Sequence, residues 1–232
     1  MFGNPEAASG GAYARTVVVV EDDGFLRSLL ADALEKAGFR VSTAANASDA
    51  KRVISMVDPD AVILDVDLGR GQNGFDIADR LRAVSDEVGI LFLTSLPDSR
   101  FVGRDQQAVY KNAAYLNKNM IEDSATVLQA LEAVLTGKDV GRFRHDELPD
   151  RPLAQLSKTQ IQVLRLLAEG KTNQQIADAR QRSLGGTESA ISRTLEALGI
   201  DANADMNVRV AAAIKFAKLV KPSDHSSAIG ST

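Results

Sequence analysis

From Arg15 to Gly137 the chain alternates short, unbroken apolar runs with longer stretches whose apolar residues recur every three or four positions. The runs Val17–Val20, Ala61–Leu64, Ile90–Leu93 and Ala114–Leu116 have the length and β-branching of strands buried on both faces. Arg40–Thr43 is a fifth candidate, with Val41 its only large apolar residue. Phe25, Leu29, Leu30, Leu34 and Ala37 mark a helix that Gly38 ends; Ala50, Val53, Ile54 and Val57 mark a second. Phe75, Ile77, Ala78, Leu81 and Val84 make a third, a weaker pattern runs around Val102 to Tyr110, and Ile121, Val127, Leu128, Leu131, Val134 and Leu135 make a fifth, stopped at Gly137. A strand–helix unit repeated five times predicts an α/β fold, a doubly wound five-stranded parallel sheet with helices on both faces, over residues 15–137.

After Gly137 the strands stop. The stretch Lys138 to Pro152 is charged, holds a Gly and two Pro and carries no stripe, so residues 138–155 read as a linker. Helical patterns over 157–168, 173–180, 187–198 and 207–220 predict a second, small, all-α domain spanning 156–221. Residues 1–14 and 222–232 lack periodicity and read as flexible tails.

Charge sharpens this division. Residues 151–221 carry 11 Lys/Arg against 6 Asp/Glu, while the rest of the chain carries 16 against 25. An acidic front half suits a site for a divalent cation, and a mildly basic back half suits contact with a polyanion. The chain has no cysteine, which excludes disulfides and thiolate metal centres, and its two histidines, His145 and His225, are too few for a histidine metal site. No apolar stretch is long enough for a membrane span and no basic-then-apolar leader opens the chain, so the expectation is a cytoplasmic protein with no membrane partner.

In a doubly wound sheet the side chains at the carboxyl ends of the strands meet in one crevice. Here those ends carry Glu21-Asp22-Asp23, then Asp65 with Asp67 two residues on, then Thr94-Ser95, then Lys118. Carboxylates clustered in this way repel one another unless a hard dication lies among them, and Mg²⁺ accepts a few oxygens plus waters. One carboxylate can then attack phosphorus and form an acyl phosphate, with the metal and an ammonium neutralising the phosphoryl oxygens. Asp65, alone at the end of a central strand, is the expected nucleophile, and Asp22 and Asp23 the expected metal holders.

Through VVVVEDD, VILDVDL, ILFLTS and YLNK, residues 15–137 resemble the receiver domain of response regulators, whose fold is flavodoxin-like. The resemblance implies that Asp22 and Asp23 are the metal-binding pair, Asp65 the phosphoacceptor and third metal ligand, and Asp67 the residue whose carbonyl reaches the Mg²⁺. It further implies Thr94 as switch hydroxyl, Tyr115 as switch aromatic, Lys118 as phosphate-sensing lysine, and a sensor histidine kinase as partner. Two prolines usual in the family are missing: the loop after Asp65 reads DLGRGQNG, and Asn119 follows Lys118.

Residues 156–220 resemble the LuxR/NarL-type helix-turn-helix at Leu156-Ser157, Val163-Leu164, Leu167-Ala168-Glu169-Gly170, Asn173, Ile176-Ala177 and Leu198-Gly199-Ile200. The resemblance implies DNA binding, with a homodimer when active, and offers Lys171, Arg180, Arg182, Thr187, Glu188, Ser189, Ser192 and Arg193 as candidate contacts. The reading stretch departs from pattern: Gly186-Thr187-Glu188 replaces Thr-Val-Lys, and Arg180 replaces a leucine. Two other functions compete with transcription control. One is a receiver whose altered helix-turn-helix acts through protein contacts alone. The other is a haloacid-dehalogenase-type phosphatase, which shares the Asp-x-Asp of Asp65 and Asp67 but needs a second acidic cluster, for which Glu122-Asp123 at a helix start is the available pair, and room for a cap.

Overall fold

The four valines of β1 (Thr16–Val20) are buried to the last atom, which only a strand covered on both faces achieves. Its neighbours are β2 (Arg40–Ala44), β3 (Ala61–Leu64), β4 (Gly89–Thr94) and β5 (Ala113–Asn117), all parallel, in the order β2-β1-β3-β4-β5. The structure is a computed structural model that describes residues 14–69, 73–105, 109–200 and 207–220; the two expected tails lie almost wholly outside them.

Alternation along the strands sorts the core into two layers. Val17, Val19, Ile63, Leu91, Ala114 and Leu116 face α1 (Gly24–Lys36) and α4 (Ser124–Thr136), meeting Leu30, Leu34, Val127 and Leu131. Val18, Val20, Val62, Leu64, Ile90, Phe92 and Tyr115 face the other way, onto α2 (Ala47–Val57) and α3 (Gly74–Val84) through Ala50, Phe75, Ile77 and Leu81. The expected helical stripes are correct in place but not in every member: Phe25 and Val84 are exposed at 79% and 84%.

The helix expected around Val102 to Tyr110 is absent from the described residues of that stretch. Ser99–Val102 form a 3₁₀ turn that Asp98 caps and Gly103 ends at φ 77°. Arg104 then ties the segment to α3, its guanidinium 2.7 Å from both Asp76 and Asp79. Residues 106–108 lie outside the described set.

The segment 138–155, expected as a linker, packs in part against the sheet domain. It crosses β5, where Tyr115 bridges Arg144 and the Asn117 N–H donates to His145 Nδ1 at 3.1 Å. Two of its arginines are buried in ion pairs, Arg144 with buried Asp146 at 2.8 Å and Arg151 with buried Asp98 of the sheet domain at 3.0 Å. Four helices follow, α5 (Lys158–Ala168), α6 (Asn173–Arg180), α7 (Leu184–Ala197) and α8 (Val208–Val220). Helix α7 starts three residues earlier than the pattern suggested, because the Ser183 hydroxyl accepts from Gly186 N and caps it despite Gly185-Gly186. Leu156, Ile161, Leu164, Leu167, Ile176, Leu198 and Ala212 form the helical core, which runs on without a break into the α2/α3 layer of the sheet domain.

Candidate functional site

The parallel register sets the ends of β1 and β3 side by side, Val20 opposite Leu64, so the next residues, Glu21 and Asp65, leave the sheet together. β5 ends at Asn117, and Lys118 reaches back across the edge. Its Nζ lies 2.6 Å from Asp65 Oδ2 and 2.6 Å from Glu21 Oε2. Burial opposes the charge on Lys118, but the two carboxylates outweigh it and hold the ammonium above its ordinary pKa. Glu21, almost wholly enclosed, is raised as well: burial and the Asp65 charge push it up to about 7.

Glu21, Asp22 and Asp65 each offer an oxygen within 4.8 Å of the others. Asp22 is exposed, and Arg27 holds the loop beneath it by donating to the Glu21 and Asp22 carbonyls at 2.6 and 3.3 Å. Asp23, expected to hold the metal, stands outside this cluster. Its Oδ1 accepts from Phe25 N and Leu26 N at 2.8 and 3.0 Å, and those two bonds lower its pKa as it caps α1. The acids that meet Asp65 are thus Glu21 and Asp22, while Asp23 is engaged as the cap of α1. The helix-start rule carried the missing signal, since an Asp directly before a helical stripe is a preferred N-cap.

Asp67 N donates to Asp65 Oδ1 at 3.0 Å while its own side chain faces outward. Gly74 seats α3 against the same residue: a Cβ there would lie 2.2 Å from the Asp65 carbonyl oxygen. Thr94 is buried at the end of β4, its Oγ1 accepting from Leu96 N at 3.3 Å. Tyr115, fully buried between strands, donates its hydroxyl to Leu96 O at 2.9 Å. Both expected switch residues thus grip the same short loop after β4. Asp123, part of the second acidic pair considered above, caps α4 through Thr126 N at 3.0 Å.

In the helical half, α6 and α7 flank a turn whose Gln181 takes the left-handed conformation. Arg182, Glu188, Ser189, Ser192 and Arg193 are exposed along α7 and the turn before it. Thr187 is not: it is wholly buried, its Oγ1 without a hydrogen-bond partner among the described residues, because it shares the inward face of α7 with Ala190 and Thr194. Arg180 is half-buried, with Nε and Nη1 enclosed and unpaired among the described residues; burial and the nearby Arg182 and Arg193 depress its pKa. Lys171 is half-buried, and its carbonyl accepts from Arg209 at 2.6 Å.

Comparison with known proteins fits this geometry. The family described as "Response regulator receiver domain" matches residues 17–120, and "Bacterial regulatory proteins, luxR family" matches 154–184, ending at the first residue of α7. The Response regulator MprA of Mycobacterium sp. (strain KMS) is 31% identical over 181 residues, 77% of this chain and 70% of that protein. A virulence-factor transcription regulator of Bordetella pertussis, BvgA, is 25% identical over 173 residues, 70% of this chain and 80% of its own. Among solved structures, RcsB of Salmonella enterica serovar Typhimurium, bound to a promoter with a phosphomimetic, superposes with TM-score 0.58 at 17% identity, covering 88% of this chain and 98% of that one. With a receiver model matched over the sheet domain, a LuxR-family model matched at the start of the helical domain and a response regulator 31% identical over most of both chains, the chain belongs to the response regulators, a receiver domain joined to a LuxR-family helix-turn-helix domain.

Proposed function

We propose that this regulator takes a phosphoryl group on Asp65 from a sensor histidine kinase and that the modification controls transcription through DNA binding by α6 and α7. The observation that carries the reading is the meeting of Asp65, Lys118, Glu21 and Asp22 at one sheet edge, with Lys118 Nζ 2.6 Å from the Asp65 carboxylate. An Asp65 oxygen attacks the phosphorus of the phosphohistidine; the P–O bond forms as the P–N bond breaks, and the imidazole nitrogen leaves with the electron pair. Lys118 neutralises a phosphoryl oxygen, and the Thr94 hydroxyl turns from Leu96 N to donate to another. Three hard carboxylate oxygens within 4.8 Å of one another suit Mg²⁺, held by Glu21, Asp22 and Asp65 with the Asp67 carbonyl as a further ligand. When bound, that ion supplies positive charge to the transferring oxygens.

The exposed Arg182 and Arg193 serve as phosphate contacts, with Arg180 and Lys171 at the margin, and Glu188, Ser189 and Ser192 face the bases. Two copies acting on a two-fold site make a homodimer the active form. This role belongs in the cytoplasm, and none of the described helices is long and apolar enough to cross a membrane. A second reading, output by protein contact alone, draws support from the family match ending at Leu184, before the reading face.

Intact mass after treatment with a small phosphodonor and Mg²⁺ tests the first step: wild type gains one phosphate and Asp65→Asn gains none. Labelling that persists in Asp65→Asn would overturn the site assignment. A gel-shift with genomic fragments, with and without the phosphodonor, separates the two outputs.

A further inference from the structure

Three arginines converge where α6 turns into α7. Arg180 is the last residue of α6, Arg182 stands two residues on in the turn, and Arg193 projects from α7. Arg180 is half-buried, and its Nε and Nη1 are enclosed without a hydrogen-bond partner among the described residues. The charges it feels are those of Arg182 and Arg193, both of its own sign, and no described carboxylate offsets them. The turn that sets these positions is fixed: Gln181 N donates to Asp178 O at 3.1 Å and Arg182 N to Ala177 O at 3.0 Å, with Gln181 left-handed. Arg193 is steered by its Nε alone, which donates to Ser189 O at 3.2 Å. Arg209 of α8 shows the contrast. Its guanidinium is committed to the Lys171 carbonyl and the Asn173 side chain, as befits an arginine that holds helices together.

An enclosed guanidinium with no partner is costly, and unlike a lysine it cannot escape by giving up its proton. Its position makes it a better anion ligand than a solvated arginine. Arg180 has already lost the water around Nε and Nη1, and turning its long side chain toward Arg182 and Arg193 breaks no hydrogen bond. Three cations at one place exceed what a single carboxylate answers. A phosphate diester carries its charge on tetrahedrally spread oxygens, which accept from separate guanidinium forks. Arg193 lies one helical turn from Ser189 and beside Ser192, all three exposed, so an anion held here runs along the face of α7.

We infer that Arg180, Arg182 and Arg193 form one phosphate site, that Arg180 turns out of the α6–α7 contact to complete it, and that a backbone phosphate of DNA fills it. The inference rests on the DNA binding proposed above. It adds that α6 shares the grip, through a side chain that no described residue satisfies. Phosphate contacts carry no base information, so the site fixes the register of α7 on the duplex and leaves base choice to Glu188, Ser189 and Ser192.

Arg180→Met in the full chain keeps an unbranched side chain and removes the charge. It should raise the melting temperature, because an enclosed charge with no partner is gone. It should also bind a mixed-sequence DNA duplex about tenfold more weakly, by the same factor on AT-rich and GC-rich duplexes. The plot of log affinity against log salt should flatten by about 0.9, the share of one phosphate. Arg180→Lys, which keeps the charge and loses the planar fork, should keep the slope and recover only part of the affinity. Sodium phosphate, compared with sodium chloride at equal ionic strength, should raise the melting temperature of wild type more than that of Arg180→Met. An Arg180→Met protein that melts below wild type, or that matches it in both duplex binding and phosphate response, would overturn the site. A phosphate response lost while duplex binding is unchanged would give the site to a free anion and overturn its part in DNA binding. If wild type binds no duplex at all, the DNA-binding reading fails, and the phosphate titration still decides whether the three arginines take an anion.

Discussion

Gly74→Ala is the substitution for which the structure makes the sharpest demand. The added Cβ would stand 2.2 Å from the Asp65 carbonyl oxygen, 3.0 Å from its carbonyl carbon and 3.1 Å from Val66 Cα, whereas ordinary contact begins at 3.4 Å. All three obstacles are backbone, so no side chain can rotate away, and β3 or the start of α3 must retreat by about 1 Å. Overpacking of buried sites costs about 1–3 kcal/mol, and a rigid obstacle puts this site near the upper end, about 3 kcal/mol. In a domain of this size that corresponds to a fall of about 10 °C in melting temperature. The retreat also carries Asp65 away from Lys118, now 2.6 Å distant, and a misplacement of about 1 Å at a reacting group can slow reaction about 100-fold. Calorimetry of the full chain and the rate of acyl-phosphate formation by mass spectrometry measure the two effects. Gly141→Ala, where a Cβ meets nothing within 4 Å, is the control and should leave both unchanged. A Gly74→Ala protein melting within about 2 °C of wild type and phosphorylating at the wild-type rate would refute the close approach of α3 to the acceptor.

Three further outcomes follow from the site and from α7. Asp22→Ala should abolish Mg²⁺ binding in a calorimetric titration, while Asp23→Ala should keep Mg²⁺ affinity and lower the melting temperature instead; the reverse result would restore Asp23 to the metal site. Glu21 is raised from 4.5 to about 7 by burial and by Asp65, so the folded state holds its proton more tightly than the unfolded chain, and this group's contribution is full below its unfolded pKa and is lost as pH rises through about 7. Between about pH 5.5 and about pH 7.5 the metal-free wild type should lose about 2 kcal/mol relative to Glu21→Gln, and a constant difference across that range would remove Glu21 from the buried position. Gly185→Ala should stabilise the helical domain by up to about 1 kcal/mol, since its Cβ meets open space in α7, whereas Gly186→Ala should gain less because its Cβ lies 3.0 Å from the capping Ser183 hydroxyl.

The sheet was legible because strands covered on both faces must be apolar throughout, and Val17–Val20 or Ala61–Leu64 can be little else. The meeting of Asp65 and Lys118 was legible because register alone brings the ends of β3 and β5 to one edge. Less legible were positions where one residue type serves two purposes. Asp23 is both an acid near the cluster and a good helix cap, and capping won because two backbone N–H groups needed a partner. Thr187 is polar enough to contact DNA, but once Ser183 started α7 early, the helical period turned Thr187 inward with Ala190 and Thr194. The packing of residues 138–155 was hidden for a related reason: Arg144 has Asp146 and Arg151 has Asp98, pairings that no count of charges reveals.

The missing helix and the packed linker are one structural fact. With only a 3₁₀ turn among the described residues between β4 and β5, the sheet face over these strands keeps Phe92 and Tyr115 beneath a thin cover. Phe101, Val109, Leu153 and Leu156 complete that cover, and two of the four come from beyond residue 150. The receiver therefore borrows part of its core from the chain that follows it, and separating the domains exposes Phe101, Leu156 and Phe216 to water at about 25 cal/mol for each Å² uncovered. That cost favours the closed arrangement. In this chain the loop after β4 carries Thr94 at one end, beside the acidic site, and Asp98 at the other, inside the domain contact. A rigid helix over β4 and β5 would have given the receiver its own cover and left its output domain to dock or part independently; here the loop that leaves β4 beside the acidic cluster also pairs with the chain leading into the helical domain.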